Sequence, residues 1–488
     1  MDNISLWKGI SSESKFPKLN GDTAVDVAIV GGGMTGIMCA CLLSNRGKKV
    51  AVLEAMNIGE GSTGYSTGNL YVEVDGKLQN KSEEVRRMVV ESRGEAINLI
   101  EKIVNEYKIN CNFQRQPLYY YSFTDELDEE VIDEKDALKE IGLDVYQKRD
   151  ILPFPVKAGL VLENQAQFNP LAFVKGLAKK IQSETCGIYE NTKVEKIEEG
   201  KTCILHTKHG KVHTKNVIMA THSPKGILMV HTAIAPYREY GIAAKIKGEY
   251  PEGGIYWSTE DPHHSLRTFD NGKEKFLVVI GENHKTGQEE NSEKCYKEVE
   301  KFIKKHFDLQ SIEYQWSAQN YKPVDGLPYI GTTSLGDNIF MATGFATDGL
   351  TYGALAAMIL TLASGLAFAA GTSTSGTSSS GMSSDRMSGS SASDASAFDR
   401  LDANKDGTLS RSEFDVHVQE MQRMKGHHGS GKMGGSSTST DSDTRMQGSD
   451  LDSGTTTKHP DQNLNPEGVG KDDAGVAEHD TAHRPSDQ

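Results

Sequence analysis

Three glycines in a short turn, followed by an acidic residue, form the arrangement that most directly predicts chemistry. Gly31, Gly33 and Gly36 make the pattern G-x-G-x-x-G, and Glu54 follows 18 residues after the last glycine. The first glycine allows a tight turn, the second lets the backbone approach a pyrophosphate, and the third lets a helix pack on a strand. A carboxylate at position 54 can accept hydrogen bonds from both ribose hydroxyls. The pattern predicts binding of an adenine dinucleotide.

These residues need a strand-helix-strand unit to position them. Residues 25–30 are typical of a strand, a helix beginning near Met34 and Thr35 and running to about Asn45 follows, and a second strand ends at Glu54. The helix N-terminus would direct free N–H groups and the positive end of its dipole at the phosphates. Cys39 and Cys41 lie inside the helix and are interpreted as packing residues.

A polar loop after Glu54 favours a flavin over a nicotinamide. Four hydroxyl side chains alternate with glycines in NIGEGSTGYSTGNL, and we expect them to lie along the second half of the cofactor: Ser62, Thr63, Ser66 and Thr67. By itself, the same composition could also belong to a plain surface loop.

The remaining elements indicate a second layer over the nucleotide site. Residues 82–109 show the apolar spacing of an amphipathic helix. From Ala233 onward, short β-type runs separated by turn residues predict an antiparallel sheet that could cover a flavin.

Several motifs in sequence order resemble flavin-dependent oxidoreductases related to glycine oxidase and D-amino-acid oxidase. They are VGGGMTG with Glu54, GSTGYSTG, NVIMATHSP, KPVDGLPYIG and ATGFATDGLTYG, and together they cover roughly residues 20–362. The resemblance implies an α/β fold class with a Rossmann-like FAD-binding domain and an antiparallel-sheet substrate domain, of the glutathione reductase/D-amino-acid oxidase type. FAD is the implied cofactor.

The resemblance also implies further cofactor contacts. The region of Val194 is expected to contact adenine, and Ala220 and Thr221 to lie beside the pyrophosphate; His222 stands where Gly is usual and could reach the ribityl chain or cap a turn. The start of the last apolar helix is expected to point at the flavin and to favour its anionic reduced form; the residues involved are Gly344, Asp348, Gly349 and Leu350. Asp348 also fits a helix N-cap.

A substrate site for an amino acid needs a fixed cation and an apolar slot. Arg267 matches by position the family's carboxylate-binding Arg, and Arg238 is the reserve candidate. The slot would be lined by Tyr256, His264 and Tyr240. Each could instead be a strand residue that faces away from the site. No general base is identified from the sequence, and in related enzymes substrate deprotonation and hydride transfer can suffice.

The sequence divides into segments of unlike composition. The predicted FAD-binding domain comprises residues 1–75, 156–227 and 321–362, and the substrate domain residues 76–155 and 228–320. An apolar segment and Ser/Gly-rich linker covers 363–397, an EF-hand 398–425, and a disordered acidic tail 426–488. The most similar branch of the family often carries a C-terminal Rieske domain; no C-x-H motif is present and no Cys follows Cys295, which predicts that this module is absent.

An uncharged run of 23 residues, from Gly349 to Gly371, is open to three interpretations. It could be a buried helix that closes the first domain, a membrane anchor, or the remnant of an export signal ending in A-F-A-A. The third would mean that two unrelated genes were joined.

The segment AFDRLDANKDGTLSRSEF has the spacing of a calcium loop. Oxygen ligands fall at loop positions 1, 3, 5, 7, 9 and 12, and Gly407 at position 6 permits the sharp turn. The predicted Ca²⁺ ligands are Asp402, Asn404, Asp406, Thr408, Ser410 and Glu413. EF-hands normally pair, and the downstream acidic stretch lacks both the central Gly and the terminal Glu.

Composition limits the partners and the compartment. A net charge of −15 argues against nucleic acid as a partner, and membrane binding is not expected. Six cysteines without a C-x-x-C pair, and no visible signal peptide, predict a reduced cytoplasmic protein. We therefore expect an FAD-dependent oxidoreductase that oxidises an amine or amino acid by hydride transfer to flavin, with O2 or another electron acceptor. The alternative is a calcium-binding EF-hand protein whose flavin fold is non-catalytic.

Overall fold

The computed structural model describes residues 3–12, 15–72, 78–124, 128–223, 232–260, 262–289, 291–324, 326–333 and 335–363. The predicted linker, EF-hand and acidic tail therefore lie outside the described residues. The α-helices of the described part are α1 (Leu6–Ile10), α2 (Met34–Ser44), α3 (Glu83–Tyr107), α4 (Asp128–Glu140), α5 (Pro170–Ile181), α6 (Ser292–His306) and α7 (Gly349–Ala363).

The first sheet is mixed and contains the predicted strand-helix-strand unit. Its strands are β1 (Thr23–Val30), β2 (Val50–Leu53), β7 (Cys186–Tyr189), β8 (Val194–Glu198), β9 (Cys203–Thr207), β10 (Gly210–Met219), β16 (Tyr329–Thr333) and β17 (Gly336–Thr343). β1 is central and parallel to both β2 and β10, and β10 is parallel to β17. The carboxyl ends of β1, β2, β10 and β17 therefore meet at one edge, where ligands bind in open α/β sheets.

The second sheet is largely antiparallel, as the alternating sequence predicts. Its strands are β3 (Asn69–Leu70), β4 (Gln114–Ser122), β5 (Val145–Gln147), β6 (Ala158–Gln167), β11 (Ile234–Lys247), β12 (Ile255–Ser258), β13 (Ser265–Asp270), β14 (Lys275–Lys285) and β15 (Asp308–Pro323). The order along the main path is β15-β11-β14-β13-β12-β4-β6-β3, in which only the β12–β4 pair is parallel. The α/β expectation is confirmed, with two mixed sheets.

The domain boundaries stay a prediction. β3 and β6 fall in segments that the sequence assigned to FAD binding, yet both hydrogen-bond into the second sheet. The chain thus crosses between the two layers more often than the composition suggests.

The helices cover the sheets according to their apolar faces. α2 is buried along nearly all its length and packs against α5 and α7. α6 is strongly amphipathic and buries Cys295, Val299 and Ile303 against one face of the second sheet. α6 does not cover the opposite face of that sheet, and this face lies towards the carboxyl edge of the first sheet.

The apolar run that begins at Gly349 starts as a buried helix. In α7, Leu350, Tyr352, Ala357 and Leu360 are all at most 6% exposed. This supports the closing-helix interpretation for residues 349–363, and residues 364–371 lie outside the described part. Of the helices that the structure describes, none combines the length and apolar character that a membrane crossing requires.

Candidate functional site

A cavity of about 390 Å³ lies between the carboxyl edge of the first sheet and the free face of the second. Most of the residues predicted to bind the cofactor line it: Gly31, Gly33, Met34, Thr35, Glu54, Ser62, Thr63, Ser66, Thr67, Val194, Ala220, Thr221, Gly349 and Leu350. Gly36, Gly344 and Asp348 stand behind this lining. The predicted nucleotide residues are thus brought together from six separate stretches of the chain.

The glycine turn between β1 and α2 has the close approaches that the motif implies. Gly31 has φ +109°, and a Cβ there would lie 2.4 Å from the carbonyl oxygen of Ala220. A Cβ on Gly36 would lie 1.9 Å from the carbonyl oxygen of Gly31, so only glycine at position 36 lets the first turn of α2 pack this close to Gly31. Gly33 is the N-cap of α2 and brings no capping side chain, and this end of the helix lines the cavity, where the Thr63 hydroxyl accepts the N–H of Met34.

Glu54 is held in place by two backbone donors at the end of β2. Its Oε2 accepts the N–H of Gly32 at 2.7 Å, and its Oε1 accepts the N–H of Met56 at 2.8 Å. A carboxylate offers about four lone-pair positions, so both oxygens can still accept from ribose hydroxyls. The sequence did not anticipate that this carboxylate also braces the glycine turn.

The polar loop Ser62–Thr67 is ordered by bonds to three distant elements. The Thr63 hydroxyl accepts the N–H of Met34 at 3.0 Å. The indole N–H of Trp7, in α1, donates to the carbonyl of Ser66 at 2.7 Å, and that of Trp316, in β15, donates to the carbonyl of Tyr65 at 2.9 Å. The loop is therefore a fixed wall of the cavity and not a plain surface loop.

His222 ends the strand element of Ala220 and Thr221 with a left-handed backbone, φ +64°. Its ring nitrogen Nε2 lies 3.0 Å from the carbonyl oxygen of Gln319, and its ring packs edge-on against Tyr321. Burial lowers its pKa below the ordinary value, so the imidazole is neutral at pH 7. His222 therefore bonds the first sheet to the second and also lines the cavity, so its reach towards the ribityl chain stays a prediction.

The N-terminus of α7 is supported by a buried ion pair. Arg93 Nη1 lies 3.1 Å from Asp348 Oδ2, and both side chains are at most 1% exposed. The Tyr71 hydroxyl donates to Asp348 Oδ1 at 2.7 Å, and the carbonyl of Tyr71 accepts from Arg93 Nε and Nη2. Burial is the largest single effect and opposes the charge of Arg93, but Asp348, Tyr352 and Tyr71 together outweigh it and raise the guanidinium pKa above its ordinary value. Both oxygens of Asp348 are thereby used to position α7, and neither reaches the cavity lining.

The substrate residues proposed from the sequence do not line the cavity. Arg238, Tyr240, Tyr256 and His264 lie on the face of the second sheet that α6 covers. Tyr256 stacks on Tyr119 with centroids 4.6 Å apart, His264 stacks on Phe302 at 4.1 Å, and Arg238 donates to the Ser317 hydroxyl at 2.9 Å. Their placement does not fit the predicted contact with a substrate. The physical reason is strand parity, because adjacent residues point to opposite faces.

Arg267 faces the correct side of the sheet but lies beneath the loop that follows Thr67. Its Nη1 donates to the carbonyls of Thr67 at 3.1 Å and Gly68 at 2.9 Å. The side chain has no acidic partner among the described residues, and burial lowers its pKa to about 9. Arg267 thus holds the loop from below, which does not fit the predicted role of binding a substrate carboxylate.

The immediate chain neighbours of the predicted residues line the cavity instead. Trp316, Gly241, Ile280, Ser265 and Trp257 form one row across five strands, each paired in register with the next. A Cβ on Gly241 would approach Trp316 and Ile280 to within 2.6 Å, so glycine is what lets these two side chains form the wall. Other lining residues that sequence reasoning missed include Tyr71, Glu239, His263, Gln319 and Asn320. Side chains alternate between the two faces of a strand, so the sequence could have separated the cavity-lining residues from those under α6 if the face covered by α6 had been known.

The family described as FAD dependent oxidoreductase, DAO, matches residues 26–362 of this chain. The chain belongs to this family. Among curated relatives, the Bacillus subtilis protein YhfW, whose name describes a Rieske 2Fe-2S iron-sulfur protein, is 33% identical over 366 residues, covering 73% of this chain and 72% of that protein. The Escherichia coli gamma-glutamylputrescine oxidoreductase is 26% identical over 222 residues, covering 43% of this chain and 52% of that protein.

Solved structures share the fold of this chain. Glycine oxidase from Geobacillus kaustophilus superimposes with a TM-score of 0.59 at 18% identity, covering 69% of this chain and 93% of that chain. Likeness at this level of identity concerns the fold. The resemblance expected from the sequence is confirmed at the level of family and fold.

The residues present fit the FAD that the family implies. The N-terminus of α2, the carboxylate of Glu54 and the ordered Ser62–Thr67 loop face one continuous cavity. Gly33 leaves room for a phosphate, since a Cβ there would meet only the Thr63 hydroxyl, at 3.1 Å. Among the described residues no cluster of metal-binding side chains is found, and the predicted Ca²⁺ ligands at positions 402–413 lie outside them.

Proposed function

We propose that this protein is an FAD-dependent oxidase or dehydrogenase that oxidises an amine or amino acid. The supporting observation is that one cavity runs from the phosphate turn at Gly31 and Gly33 to the wall of the second sheet at Trp257 and Glu239. Bound FAD supplies the hydride acceptor. The substrate's C–H bond breaks as the nitrogen lone pair forms a C=N bond, and the nitrogen gives up its proton to solvent.

The chain's own residues would orient and shield this reaction. Trp316, Ile280 and Trp257 present an apolar wall that excludes water, and strengthens electrostatic contacts inside the cavity. The end of α7 at Gly349 and Leu350 directs the positive end of a helix dipole at the cavity, where negative charge would develop. The names of the relatives, an amine oxidoreductase and a glycine oxidase, agree with this substrate range.

The test is the absorption spectrum of the purified protein under anaerobic conditions. A bound flavin whose visible band is bleached by amines or amino acids supports the proposal. A protein that retains flavin but is bleached by none of a broad amine and amino-acid panel would overturn it. Reoxidation with O2, compared with an artificial acceptor, would then separate an oxidase from a dehydrogenase.

We infer from the sequence alone that residues 402–413 bind Ca²⁺ and that the protein works in the cytoplasm. The spacing of the oxygen ligands supports the first inference and the reduced-thiol composition the second. Calcium titration by calorimetry tests the loop, with Glu413→Gln as the variant that should weaken the signal. An identical titration for that variant would remove Glu413 from the ligand set.

A further inference from the structure

We propose that Glu239 binds a positively charged group of the substrate, so that the protein selects amines carrying a second, cationic group. This inference rests on the proposed function and names the substrate class of the same cavity. The sequence predicted a cation in the substrate site, Arg267 or Arg238, whereas the cavity wall carries the acid Glu239.

The charges that line the cavity favour a cation at the end formed by the second sheet. All arginines of residues 1–363 are described, and none lines the cavity. Its basic side chains in the described part are Lys193, beside Val194 at the adenine end, and two histidines, His222 and His263. Glu239 is the acid on the wall that the second sheet contributes. A carboxylate-bearing substrate would therefore meet repulsion here and no guanidinium.

Glu239 is held in place with one oxygen free. The Asn283 amide donates to its Oε1 at 2.8 Å, and His263 Nε2 lies 3.6 Å from the same oxygen. Among the described residues Oε2 has no hydrogen-bond partner, and the side chain is 15% exposed. A hydrogen bond from an ammonium to such a carboxylate is charge-assisted and roughly twice as strong as one between neutral groups.

Asn320 supplies a second acceptor on the same wall. Glu239 pairs with Ala318 across β11 and β15, so Asn320, two residues further along, points to the same face as its diagonal neighbour. Diagonal neighbours lie roughly 7–8 Å apart, within reach of one ligand. Asn320 is 7% exposed, and its Oδ1 has no hydrogen-bond partner among the described residues. A buried acceptor without a partner is costly, and a donating ligand would relieve that cost.

Aromatic rings on the cavity wall add a face for the same charge, and Trp257 packs against His263, which lies 3.6 Å from Glu239. Tyr71 and Trp257 lie with ring centroids 5.5 Å apart, and both line the cavity. Such faces attract ammonium groups, more strongly where water is excluded.

The sheet offers a matched control for Glu239. Glu282 lies 3.6 Å from His264, the same separation as Glu239 from His263, but on the face that α6 covers. Its side chain is 19% exposed, close to the 15% of Glu239. Glu239→Gln and Glu282→Gln therefore remove the same charge from equivalent pairs on opposite faces.

The experiment compares diamines with monoamines of equal carbon chain length, such as 1,4-diaminobutane and 1-aminobutane. Calorimetry on the FAD-loaded protein measures binding, and anaerobic stopped-flow measures flavin reduction. We expect the wild-type protein to prefer the diamine, and Glu239→Gln to reduce that preference by about tenfold or more, as for a charge-assisted hydrogen bond. Glu282→Gln should keep the wild-type ratio, and flavin content should be equal in all three.

Two results would overturn the inference: a wild-type preference for monoamines or neutral amino acids, or a diamine preference that Glu239→Gln leaves unchanged. Because binding is measured directly, it decides the role of Glu239 even if no compound bleaches the flavin. In that case the proposed oxidation fails, whereas a Glu239-dependent affinity for the diamine still supports a cation site.

Discussion

Arg93 and Asp348 form an ion pair, 3.1 Å from Nη1 to Oδ2, that joins α3 to the residue before α7 and is closed off from solvent. The ring of Tyr352 lies 4.4 Å from the guanidinium carbon and completes the enclosure. The pair fixes the helix end that faces the cavity although 255 residues separate the partners. Its loss should therefore affect both stability and the site.

Removing one partner of this pair should be strongly destabilising. In Asp348→Asn the buried Arg93 charge loses its counterion, and we expect the free energy of unfolding to fall by about 3–5 kcal/mol. Urea denaturation measures this. The double variant Arg93→Met/Asp348→Leu leaves no buried charge and should be more stable than Asp348→Asn; the reverse order would contradict a dominant role for the unpaired charge.

Trp7 and Trp316, whose indoles hold the polar loop Ser62–Thr67, should together slow the loss of FAD. Trp7→Phe and Trp316→Phe each leave a loop carbonyl without its donor, which costs about 1 kcal/mol. The loop can then move, and we expect FAD to dissociate faster from each variant and fastest from the double variant. Recovery of free-flavin fluorescence after dilution measures the rate. Equal rates in all four proteins would show that the loop is ordered without them.

Replacing Glu54 should weaken FAD binding. In Glu54→Gln, one carboxylate oxygen is replaced by an amide NH2 group, which cannot accept hydrogen bonds from the two backbone N–H groups or from the ribose hydroxyls. We therefore expect the Kd for FAD to rise about 10- to 100-fold. Titration of the apoprotein with FAD gives the value. The neighbouring Glu60 pairs with Lys175 and lies outside the cavity lining, so Glu60→Gln serves as the control and should change the Kd little.

Stability should depend on pH through His306. Burial lowers its pKa to about 4, helped by the nearby positive charges of Lys305 and His264, and its ring packs against Phe123 and Phe154. The unfolded chain takes up the proton near pH 6.5 but the folded chain only near pH 4, so its contribution is complete above pH 6.5 and is lost as the pH falls to 4. His306→Phe should reduce the pH dependence of the free energy of unfolding between pH 6.5 and pH 4. An unchanged slope would show that other groups determine this pH dependence.

The glycine turn could be predicted because its requirements are local. Gly31, Gly36 and Glu54 lie within one strand-helix-strand unit, and their backbone geometry follows from the spacing of the residues. α3 was also predictable from its amphipathic spacing, and β11 to β14 from short β-type runs between turn residues. The buried pair of Arg93 and Asp348 was not, because nothing local relates α3 to α7.

The substrate wall could not be predicted because alternation gives two faces without saying which is covered. Either member of two neighbouring pairs, Arg238 and Glu239 or Tyr256 and Trp257, is an equally plausible cavity residue until α6 is known to pack on one face of the sheet. The pairing of β11 with β14 also shifts between Arg238 and Tyr240, where two residues of β14 oppose Glu239 alone. This bulge brings Asn283 beside Glu239, a contact that depends on tertiary pairing.

Residues of opposite charge stand next to each other in β11, with Glu239 towards the cavity and Arg238 away from it. In evolutionary terms, the loss of a single codon at Tyr240 would present Arg238 where Glu239 now points, while the strand beyond Gly241 kept its pairing. The same scaffold is thus one deletion away from the opposite choice of substrate charge.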